Sequence, residues 1–321
     1  MIEVRVPCST SNLGAGFDCI GLAFRRYLTV SYTPDSPSAN ALRVERSGTL
    51  EHLSIAVDDD AVVAAFRASW PGASTATGTI AMHSDIPVGR GLGSSAAATV
   101  AGIMLGHLMH MHETQHTTDV VYDVSAVTRM SALAVATDIE GHPDNAAPSL
   151  FGGLVAVARA GDGALNAFRL PLSPEIAFVF AAPDVTVSTT AARAALPVDV
   201  PHALASRMLG RAAALIRGLE HADPDLLRVG LTDELHVPYR LPLIPGGVAA
   251  IEAARDAGAW GATISGSGSG LVAVGPHALR SAIASAMSEA FASEGTAGVG
   301  IEMEPDVDGV RARRGEGGVW A

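Results

Sequence analysis

The stretch Ile86-Pro-Val-Gly-Arg-Gly-Leu-Gly-Ser-Ser-Ala-Ala97 carries the strongest structural signal in this sequence. It follows residues 78–84, which alternate apolar and polar side chains as a half-buried strand does. It leads into residues 94–109, an Ala-rich segment with apolar residues at helical spacing. The alternate glycines permit positive φ, and Ser94 is predicted to cap the helix, whose first turn has free N–H groups. The stretch therefore predicts either a phosphate-binding helix start or, more simply, a glycine-rich turn capped by serine.

The basic residues of the chain narrow the ways in which it can hold phosphate. All 21 of them are arginine, so the chain has no lysine. This excludes Schiff-base and pyridoxal-phosphate chemistry, and it excludes a phosphate loop of the GxxxxGK[ST] type. We therefore expect an anionic ligand to be held by main-chain N–H groups, a metal ion or a few arginines.

Length, composition and charge limit the broad class. The chain has 321 residues, of which 48% are hydrophobic, and its formal net charge is −12. This length predicts about two domains with a sizeable core, and the negative charge argues against a nucleic-acid or membrane-surface partner. The first residues show no secretory signal, and the apolar run at residues 96–105 is too short to span a bilayer. We therefore expect a cytoplasmic protein.

The order of predicted elements divides the chain near its middle. Strand and helix patterns are mixed up to residue 159, and the turn-like residues 160–164 follow. A new alternation of apolar strands and amphipathic helices begins at residue 176, which is typical of a two-layer α+β domain. The predicted domains are residues 1–160 and 161–321. The tail, residues 306–321, is rich in Gly and Arg, and we expect it to be loosely held.

Three segments resemble one superfamily of small-molecule kinases. PxxxGLGSSAA in residues 87–97 is similar to the phosphate loop of the kinases named for galactose, homoserine, mevalonate and phosphomevalonate. Val6-Pro-Cys-Ser-Thr-Ser-Asn-Leu-Gly-Ala-Gly-Phe-Asp18 resembles the amino-terminal motif of its homoserine kinase family, and Gly261-Ala-Thr-Ile-Ser-Gly-Ser-Gly268 resembles the glycine loop that the superfamily shares. Glu140-Gly-His-Pro-Asp-Asn-Ala-Ala-Pro148 and Asp233-Glu-Leu-His-Val-Pro-Tyr-Arg240 also resemble homoserine kinases in particular.

The resemblance implies a fold and an activity. The fold would be α+β, with an amino-terminal nucleotide-binding α/β domain that contains a left-handed βαβ crossover and a carboxy-terminal ferredoxin-like domain. The active site would lie in the cleft between them. The activity would be the ATP-dependent, Mg²⁺-assisted phosphorylation of the L-homoserine hydroxyl to O-phospho-L-homoserine, a step of threonine biosynthesis.

The same resemblance assigns the nucleotide and metal ligands. The residues that would bind ATP are those of the loop and Asp60. The loop residues are Pro87, Val88, Gly89, Arg90, Gly91, Leu92, Gly93, Ser94, Ser95, Ala96 and Ala97. Asp60 stands where homoserine kinases commonly have an asparagine that touches adenine. Because a carboxylate accepts hydrogen bonds and cannot donate them, Asp60 predicts weaker discrimination among purine nucleotides. Ser95, or its neighbour Ser94, and Glu140 would ligate Mg²⁺, which prefers oxygen ligands.

The resemblance also assigns the substrate and catalytic residues. The substrate residues are Asn12, Asp18, Asn145, Arg193, Arg240 and Gly266, and the catalytic ones are Asp144, Asn145 and Arg193. The two arginines would hold the carboxylate of the substrate, since their forks donate paired hydrogen bonds. Whether a base removes the hydroxyl proton is left open. Asp144 is the obvious carboxylate, the resemblance allows Asn145 to lie closer to the substrate, and in a loose transition state the nucleophile needs little activation.

Each assignment has a structural alternative. Asp18 is also explained as a turn residue, Glu140 as a solvated helix-end carboxylate, and Arg193 and Arg240 as members of surface ion pairs. His142 and His236 lie inside the motifs, but we interpret them as structural. For the whole chain, the alternatives are the same fold acting on threonine, pantoate or mevalonate, or a non-catalytic protein that binds nucleotide or amino acid. By analogy with the family, a homodimer is expected.

Overall fold

The computed structural model describes residues 1–35, 41–115, 124–315 and 318–321. Its strands are β1 (Ile2–Asn12), β2 (Gly16–Pro34), β3 (Leu42–Gly48), β4 (Gly78–Ser84), β5 (Leu154–Arg159), β6 (Leu165–Leu170), β7 (Ile176–Pro183), β8 (Gly261–Ile264), β9 (Leu271–Pro276), β10 (Gly298–Met303) and β11 (Arg311–Arg314). Its helices are α1 (Ala61–Ser69), α2 (Ser94–Gln115), α3 (Ala126–Glu140), α4 (Ala146–Phe151), α5 (Thr189–Ala194), α6 (His202–His221), α7 (Pro224–Gly230), α8 (Val237–Arg240), α9 (Gly247–Asp256) and α10 (Arg280–Ser293). None of the helices in these ranges is long and apolar enough to cross a membrane.

Among the described residues, the large sheet contains seven strands. Five follow the order β11-β1-β2-β4-β3, β5 pairs with another part of β2, and β6 pairs with β5. Strand β2 is 19 residues long because it pairs with β4 along residues 28–34 and with β5 along residues 20–22. Strands β3 and β4 run parallel and enclose α1 between them, which makes a βαβ unit. The hand of this connection stays a prediction.

The small sheet contains four antiparallel strands in the order β10-β7-β9-β8. Counted along this half of the chain, that order is fourth, first, third and second, with helices after the first and third strands. This is the β-α-β-β-α-β arrangement of a ferredoxin-like fold, as predicted. The apolar runs of β7 and β9 are continuous because both faces of the sheet are covered. Alternate side chains belong to two cores: Val179 and Ala273 pack in one with residues of α9 and α10, and Phe178 and Val272 join the main core.

Helix α2 fills the core above the large sheet. Val100, Met104 and Leu108 are fully buried, since α2 packs on β1 and β2 on one side and against α1 and α3 on others. Gly102 lets α1 approach closely: a Cβ at this position would lie 2.3 Å from the Val62 carbonyl oxygen. The predicted helix is therefore confirmed, and its burial on several sides explains why it lacks a polar face.

The expectation of a loose tail is wrong. Strand β11 pairs with β1, and Arg313 donates two hydrogen bonds of 3.0 Å to the Glu3 carboxylate. The guanidinium groups of Arg5 and Arg313 both lie over the Trp320 ring, at 4.5 and 4.4 Å from its centroid. Cation–π contacts and strand pairing thus hold the chain end against its beginning.

The strand pairing also bears on the predicted division at residue 160. Strands β6 and β11 come after that position, yet both belong to the large sheet. The boundary between residues 160 and 161 falls in the turn that joins β5 to β6, where Ala160 N–H donates to the Ala164 carbonyl. The β5–β6 hairpin and strand β11 thus link residues on both sides of the predicted boundary. The two predicted ranges stay a prediction.

Candidate active site

The predicted phosphate loop, residues 86–93, joins β4 to α2. Gly89, Gly91 and Gly93 have φ of +67°, +84° and +62°, the left-handed region that glycine adopts without strain. The sequence predicted Ser94 as the cap that precedes helix α2. In the structure α2 begins at Ser94, so this serine is the first residue of the helix. The Ser94 hydroxyl accepts a hydrogen bond from the Gly89 N–H at 3.3 Å and closes the loop on itself. The first turn of α2 leaves main-chain N–H groups without intrahelical partners, which suits an anion.

Contacts from both halves of the chain hold this loop. The Ser9 N–H on β1 donates to the Leu92 carbonyl at 3.2 Å, and the Ser265 hydroxyl donates to the Gly91 carbonyl at 2.6 Å. The hydroxyl groups of Thr10 and Ser265 are 2.8 Å apart. Strand β1 and the loop after β8 therefore fix the phosphate loop in place.

Two cavities flank the loop, and Gly89, Ser94 and Ser95 line both of them. One is a polar cavity, which we define by its lining residues: Ser11, Asn12, Asp18, Gly89, Gly91, Gly93, Ser94, Ser95, Ala96, Glu140, His142, Asp144, Asn145, Val187, Thr189, Arg193, Arg240, Gly266, Ser267 and Gly268. It includes every residue that the sequence predicted for catalysis, substrate or metal. Residues separated by more than 250 positions in the chain therefore meet in one place, although their roles stay predictions.

The second, apolar cavity lies on the other side of the loop. Its lining residues are Leu28, Arg46, Leu50, Leu53, Ile55, Asp60, Ala61, Val62, Met82, Ser84, Ile86, Val88, Gly89, Ser94, Ser95 and Ala98. An apolar slot next to an anion-binding helix start has the layout that a nucleotide base and its phosphates require. Among the predicted loop residues, Pro87, Arg90, Leu92 and Ala97 line neither cavity.

Asp60 lies at the edge of the apolar cavity with its carboxylate already engaged. Oδ1 accepts from the Val62 N–H at 2.9 Å and so caps α1, and Oδ2 accepts from Arg46 at 2.6 Å. The side chain of Arg46 is 13% exposed and that of Asp60 is 7% exposed. The predicted nucleotide residue therefore presents a nearly buried ion pair to the cavity, and no sequence pattern indicated that Arg46 would be its partner.

Arg90 faces away from both cavities. Its guanidinium donates to the Pro183 carbonyl and to the Val185 carbonyl, and it pairs with the Asp184 carboxylate. Arg90 thus ties the phosphate loop to the end of β7. Because its side chain is engaged there, only the main chain of Arg90 could make the predicted contact with the nucleotide.

Asp18 and Arg193 form a two-pronged ion pair in the polar cavity. The Arg193 nitrogens lie 3.1 and 2.9 Å from the two Asp18 oxygens. Asp18 has φ of +54°, and its N–H donates to Asn12 Oδ1 at 3.0 Å. The hydrogen bonds that Arg193 donates to Asp18 raise the pKa of Arg193, so its guanidinium stays charged.

Arg240 is the second predicted carboxylate ligand, and it is 2% exposed. Its Nε donates to the Ala192 carbonyl at 3.1 Å, and its guanidinium lies 5.2 Å above the Phe17 ring. Burial lowers the pKa of Arg240 from its ordinary value, and the nearby Arg193 lowers it further. The two positive groups are thus held close together, an arrangement that favours an anionic ligand group.

Two asparagines join the segments of the site. Asn12 has φ of +73°, and its amide donates to the Gly266 carbonyl at 2.7 Å. The amide of Asn145 donates to the Ser11 hydroxyl at 2.8 Å, and its oxygen accepts from the Ser9 hydroxyl at 3.1 Å. Both side chains therefore hold the walls of the polar cavity together as well as lining it.

Asp144 and His142 form the second charged pair. Asp144 is 2% exposed, and its Oδ1 lies 2.6 Å from His142 Nδ1. Burial raises the pKa of the Asp144 carboxyl, but the hydrogen bond and charge of His142 outweigh it, so the pKa lies below its ordinary value. Burial lowers the pKa of His142, yet the hydrogen bond to Asp144 outweighs it and raises that pKa. A carboxylate with a lowered pKa is a weak proton acceptor, which argues against Asp144 as a base.

The predicted metal residues meet at the first turn of α2. The Ser95 hydroxyl donates to Glu140 Oε1 at 3.0 Å, and the Thr99 hydroxyl donates to the same oxygen at 2.6 Å. Thr99 was not predicted, although its spacing of four residues from Ser95 places both on one helix face. Within the described part of the chain, no three His, Cys, Asp or Glu side chains cluster as metal ligands.

Comparison with known proteins decides the family. The chain matches the family model for the GHMP kinases N terminal domain at residues 60–153 and that for the GHMP kinases C terminal at residues 215–293. It is 36% identical to a homoserine kinase of Prochlorococcus marinus over 92% of this chain and 90% of that one. The chain belongs to the homoserine kinase family. A homoserine kinase of Moorella thermoacetica is also 36% identical, over 94% of this chain and 96% of its own.

Solved structures agree with this family. The crystal structure of homoserine kinase from Cytophaga hutchinsonii superposes with a TM-score of 0.78 at 27% identity, covering 97% of this chain and 96% of that one. A mevalonate kinase of L. major, in complex with R-mevalonate, gives a TM-score of 0.61 at 16% identity, covering 92% and 94%, which shows the fold alone. The predicted two-domain small-molecule kinase fold is confirmed for this member of the homoserine kinase family.

Four polar side chains of the cavity were missed or undervalued from the sequence. Ser11 and Ser267 had no role of their own within their motifs, His142 was interpreted as structural, and Thr189 was not predicted. Thr189 had a detectable signal: it follows Ser188, whose hydroxyl accepts from the Ala191 N–H at 3.1 Å as the cap of α5. A capping serine before a short Ala-rich stretch indicates a helix start, and this one faces the polar cavity.

Proposed function

We propose that this chain transfers the γ-phosphoryl group of ATP to the side-chain hydroxyl of L-homoserine. The observation that carries the proposal is that the polar and the apolar cavity share the lining residues Gly89, Ser94 and Ser95. An ATP molecule with its purine base in the apolar cavity would place its phosphates across the start of α2. Its γ-phosphate would then point into the charged polar cavity. Homoserine kinase relatives at 36% identity over most of the chain support the choice of reaction.

The polar cavity suits a small zwitterion. Asp18 is a carboxylate of the kind that binds an ammonium group, and Arg193 and Arg240 are guanidiniums of the kind that bind a carboxylate. We expect Asn145 to orient the hydroxyl group, since it lies beside the loop: a Cβ on Gly93 would be only 2.8 Å from Asn145 Oδ1. Positioning of the hydroxyl in line with the phosphate is the main demand of phosphoryl transfer.

Ser95 and Glu140 fit a Mg²⁺ ion. A hydroxyl and a carboxylate oxygen 3.0 Å apart, at the helix start that would hold the phosphates, are hard oxygen ligands of the kind that this ion shares with nucleotide phosphates. When bound, Mg²⁺ supplies positive charge to the β- and γ-phosphates. Thr99 would hold the Glu140 carboxylate in its orientation, because it donates to Oε1.

Groups of the protein itself would stabilise the transition state and determine when the hydroxyl loses its proton. The N–H groups at the start of α2 would stabilise the charge that develops on the leaving phosphate, in place of a lysine. The lowered pKa of the Asp144 carboxyl favours a role in holding His142 over a role as a base. Proton loss from the hydroxyl would then come late, as a loose transition state allows.

A coupled ADP-release assay over a panel of small alcohols tests the proposal. The panel contains L-homoserine, L-threonine, pantoate and mevalonate, and we expect the highest kcat/KM for homoserine. A higher value for another member would reassign the substrate. Binding of Mg·ATP without turnover of any of them would favour the non-catalytic alternative. A cytoplasmic location and a homodimer stay predictions.

A further inference from the structure

The Asp18–Arg193 pair occupies the part of the polar cavity that the amino acid would enter. Both side chains line that cavity, and they are 34% and 38% exposed. Their two contacts, at 3.1 and 2.9 Å, use both carboxylate oxygens and both terminal guanidinium nitrogens. With these contacts made, neither group has its strongest binding face free for a ligand.

Local structure holds each partner in place. Asp18 lies in the left-handed region at φ of +54°, and its N–H is bonded to Asn12 Oδ1. Arg193 lies in the last turn of the short helix α5, and the Thr189 hydroxyl at the start of that helix is 3.3 Å from the Ser267 hydroxyl. The pair is therefore built by the fold, in contrast to a surface ion pair between two freely moving side chains.

Charged groups of both signs surround the pair. The ionisable groups that line the polar cavity are the carboxylates of Asp18, Glu140 and Asp144, the guanidiniums of Arg193 and Arg240, and the imidazole of His142. The opposite charges of Asp18 and Arg193 balance each other within the pair. A ligand with no net charge preserves this balance, and a ligand with a single charge disturbs it.

We propose that the Asp18–Arg193 ion pair is a latch that a zwitterion opens by exchange. The ammonium group of the amino acid replaces Arg193 beside Asp18, while its carboxylate replaces Asp18 beside Arg193. Each broken contact is thus replaced by an equivalent one. This inference rests on the proposed function and adds to it a reason for rejecting alcohols of similar size.

A ligand with only one charge cannot complete this exchange. A hydroxy acid breaks the pair to reach Arg193 and leaves Asp18 unpaired, and an amino alcohol leaves Arg193 unpaired. An unpaired charge in a half-buried site is costly. The latch therefore selects against hydroxy acids such as pantoate and mevalonate, whereas it does not select against threonine, which is also a zwitterion.

Two analogues of homoserine test the latch. γ-Hydroxybutyrate lacks the ammonium group, and aminopropanol lacks the carboxylate. Their dissociation constants are measured by calorimetry for the wild type, for Asp18→Asn and for Arg193→Gln. Asparagine tolerates the left-handed backbone of position 18, so this variant keeps the local conformation.

The expected results have opposite signs for the two kinds of ligand. Asp18→Asn weakens homoserine binding by roughly tenfold and tightens γ-hydroxybutyrate binding, because Arg193 is released. Arg193→Gln tightens aminopropanol binding for the corresponding reason. Unchanged or weaker binding of γ-hydroxybutyrate to Asp18→Asn overturns the latch.

A matched ion pair elsewhere provides the control. Arg313 and Glu3 form an equally two-pronged pair, with both contacts at 3.0 Å, between β11 and β1. Glu3→Gln is expected to leave all three dissociation constants unchanged, and a change there would overturn the assignment to position 18. If the wild type phosphorylates no panel member, the proposed function fails, but the analogue binding still decides the latch.

Discussion

The strongest contact of the Asp144 carboxylate is with His142. The 2.6 Å hydrogen bond to His142 lowers the pKa of the carboxyl and raises that of the imidazole, against the opposing effects of burial. The contribution of the pair to stability is fully present above the unfolded pKa of Asp144 and below the unfolded pKa of His142. It is lost as the pH falls through the lowered pKa of Asp144 and as the pH rises through the raised pKa of His142.

Asp144→Asn is expected to reduce kcat by roughly tenfold or more, since it releases an imidazole in the polar cavity. It removes the main influence that raises the pKa of His142, so any limb of the pH–kcat profile that belongs to His142 shifts to lower pH. Steady-state kinetics across the pH range measure both effects. The exposed Asp138→Asn on α3 is the control. An unaltered kcat in Asp144→Asn would remove this residue from the catalytic set.

Arg240→Ala is expected mainly to raise KM for the amino acid. The guanidinium is held in place by the Ala192 carbonyl and the Phe17 ring, so it offers a fixed partner to the substrate carboxylate. Arg211→Ala, which breaks the surface pair with Glu234, serves as the control. Initial-rate measurements with varied homoserine decide the outcome, and an unchanged KM would exclude Arg240 from carboxylate binding.

Asp60→Asn addresses nucleotide choice. The wild-type carboxylate accepts hydrogen bonds from Arg46 and from the start of α1 and cannot donate to a purine ring nitrogen. We expect the variant to increase the ratio of kcat/KM for ATP over GTP. Asp58→Asn, which affects an exposed carboxylate paired with Arg67, is the control. Identical ratios for wild type and Asp60→Asn would end the hypothesis that this residue loosens purine discrimination.

At the scale of elements, the phosphate loop depends on backbone conformations that only glycine adopts easily. Gly91 has φ of +84°, and a Cβ there would lie 2.4 Å from the Ser265 carbonyl oxygen. Gly91→Ala is therefore expected to weaken Mg·ATP binding by roughly tenfold or more. Calorimetric titration with Mg·ATP measures the loss.

Gly163→Ala separates strain from crowding in the Gly91 experiment. Gly163 has φ of +89° in the turn between β5 and β6, but a Cβ at this position would meet no atom within 4 Å. This control carries the same backbone strain away from the loop, and we expect Mg·ATP binding to be unchanged. Equal binding by Gly91→Ala and the wild type would argue against the loop as the phosphate site.

Elements with a strong periodic pattern were predictable, and short polar ones were not. Helices α2 and α6 and strands β4 and β7 follow their apolar patterns, as the structure confirms. Strand β11 reads Arg-Ala-Arg-Arg and has no such pattern, because β1 at the other end of the chain determines its pairing. The Asp18–Arg193 contact could not be predicted for the same reason, that its partner lies far away in the sequence. These residues are 175 positions apart and come into contact only in the folded protein.

At the scale of the whole molecule, His236 links the two halves through a stacked ring. It is fully buried and lies flat on Phe17, with ring centroids 5.0 Å apart. Burial lowers the pKa of His236 to about 4, against the opposing charge of Asp233. The unfolded chain therefore binds a proton at His236 more readily than the folded one, so stability rises with pH between about 4 and about 6.5.

His236→Phe is expected to keep the stacking on Phe17 and to remove this part of the acid sensitivity. For the wild type, the contribution lost between neutral pH and pH of about 4 is at most about 3 kcal/mol. Urea denaturation midpoints at several pH values measure it. His52→Gln, on an exposed site, is the control. A variant whose midpoint falls as steeply with acid as that of the wild type would contradict the role of His236.

The pairing of β11 with β1 has a consequence for biosynthesis. Strand β11 lies about 300 positions after its partner β1, so a growing chain presents β1 as an open edge until residues 311–314 have left the ribosome. Chains interrupted before residue 311 would keep that edge and associate with one another through it. Residues 311–314 thus protect an edge that residues 2–5 leave open during synthesis.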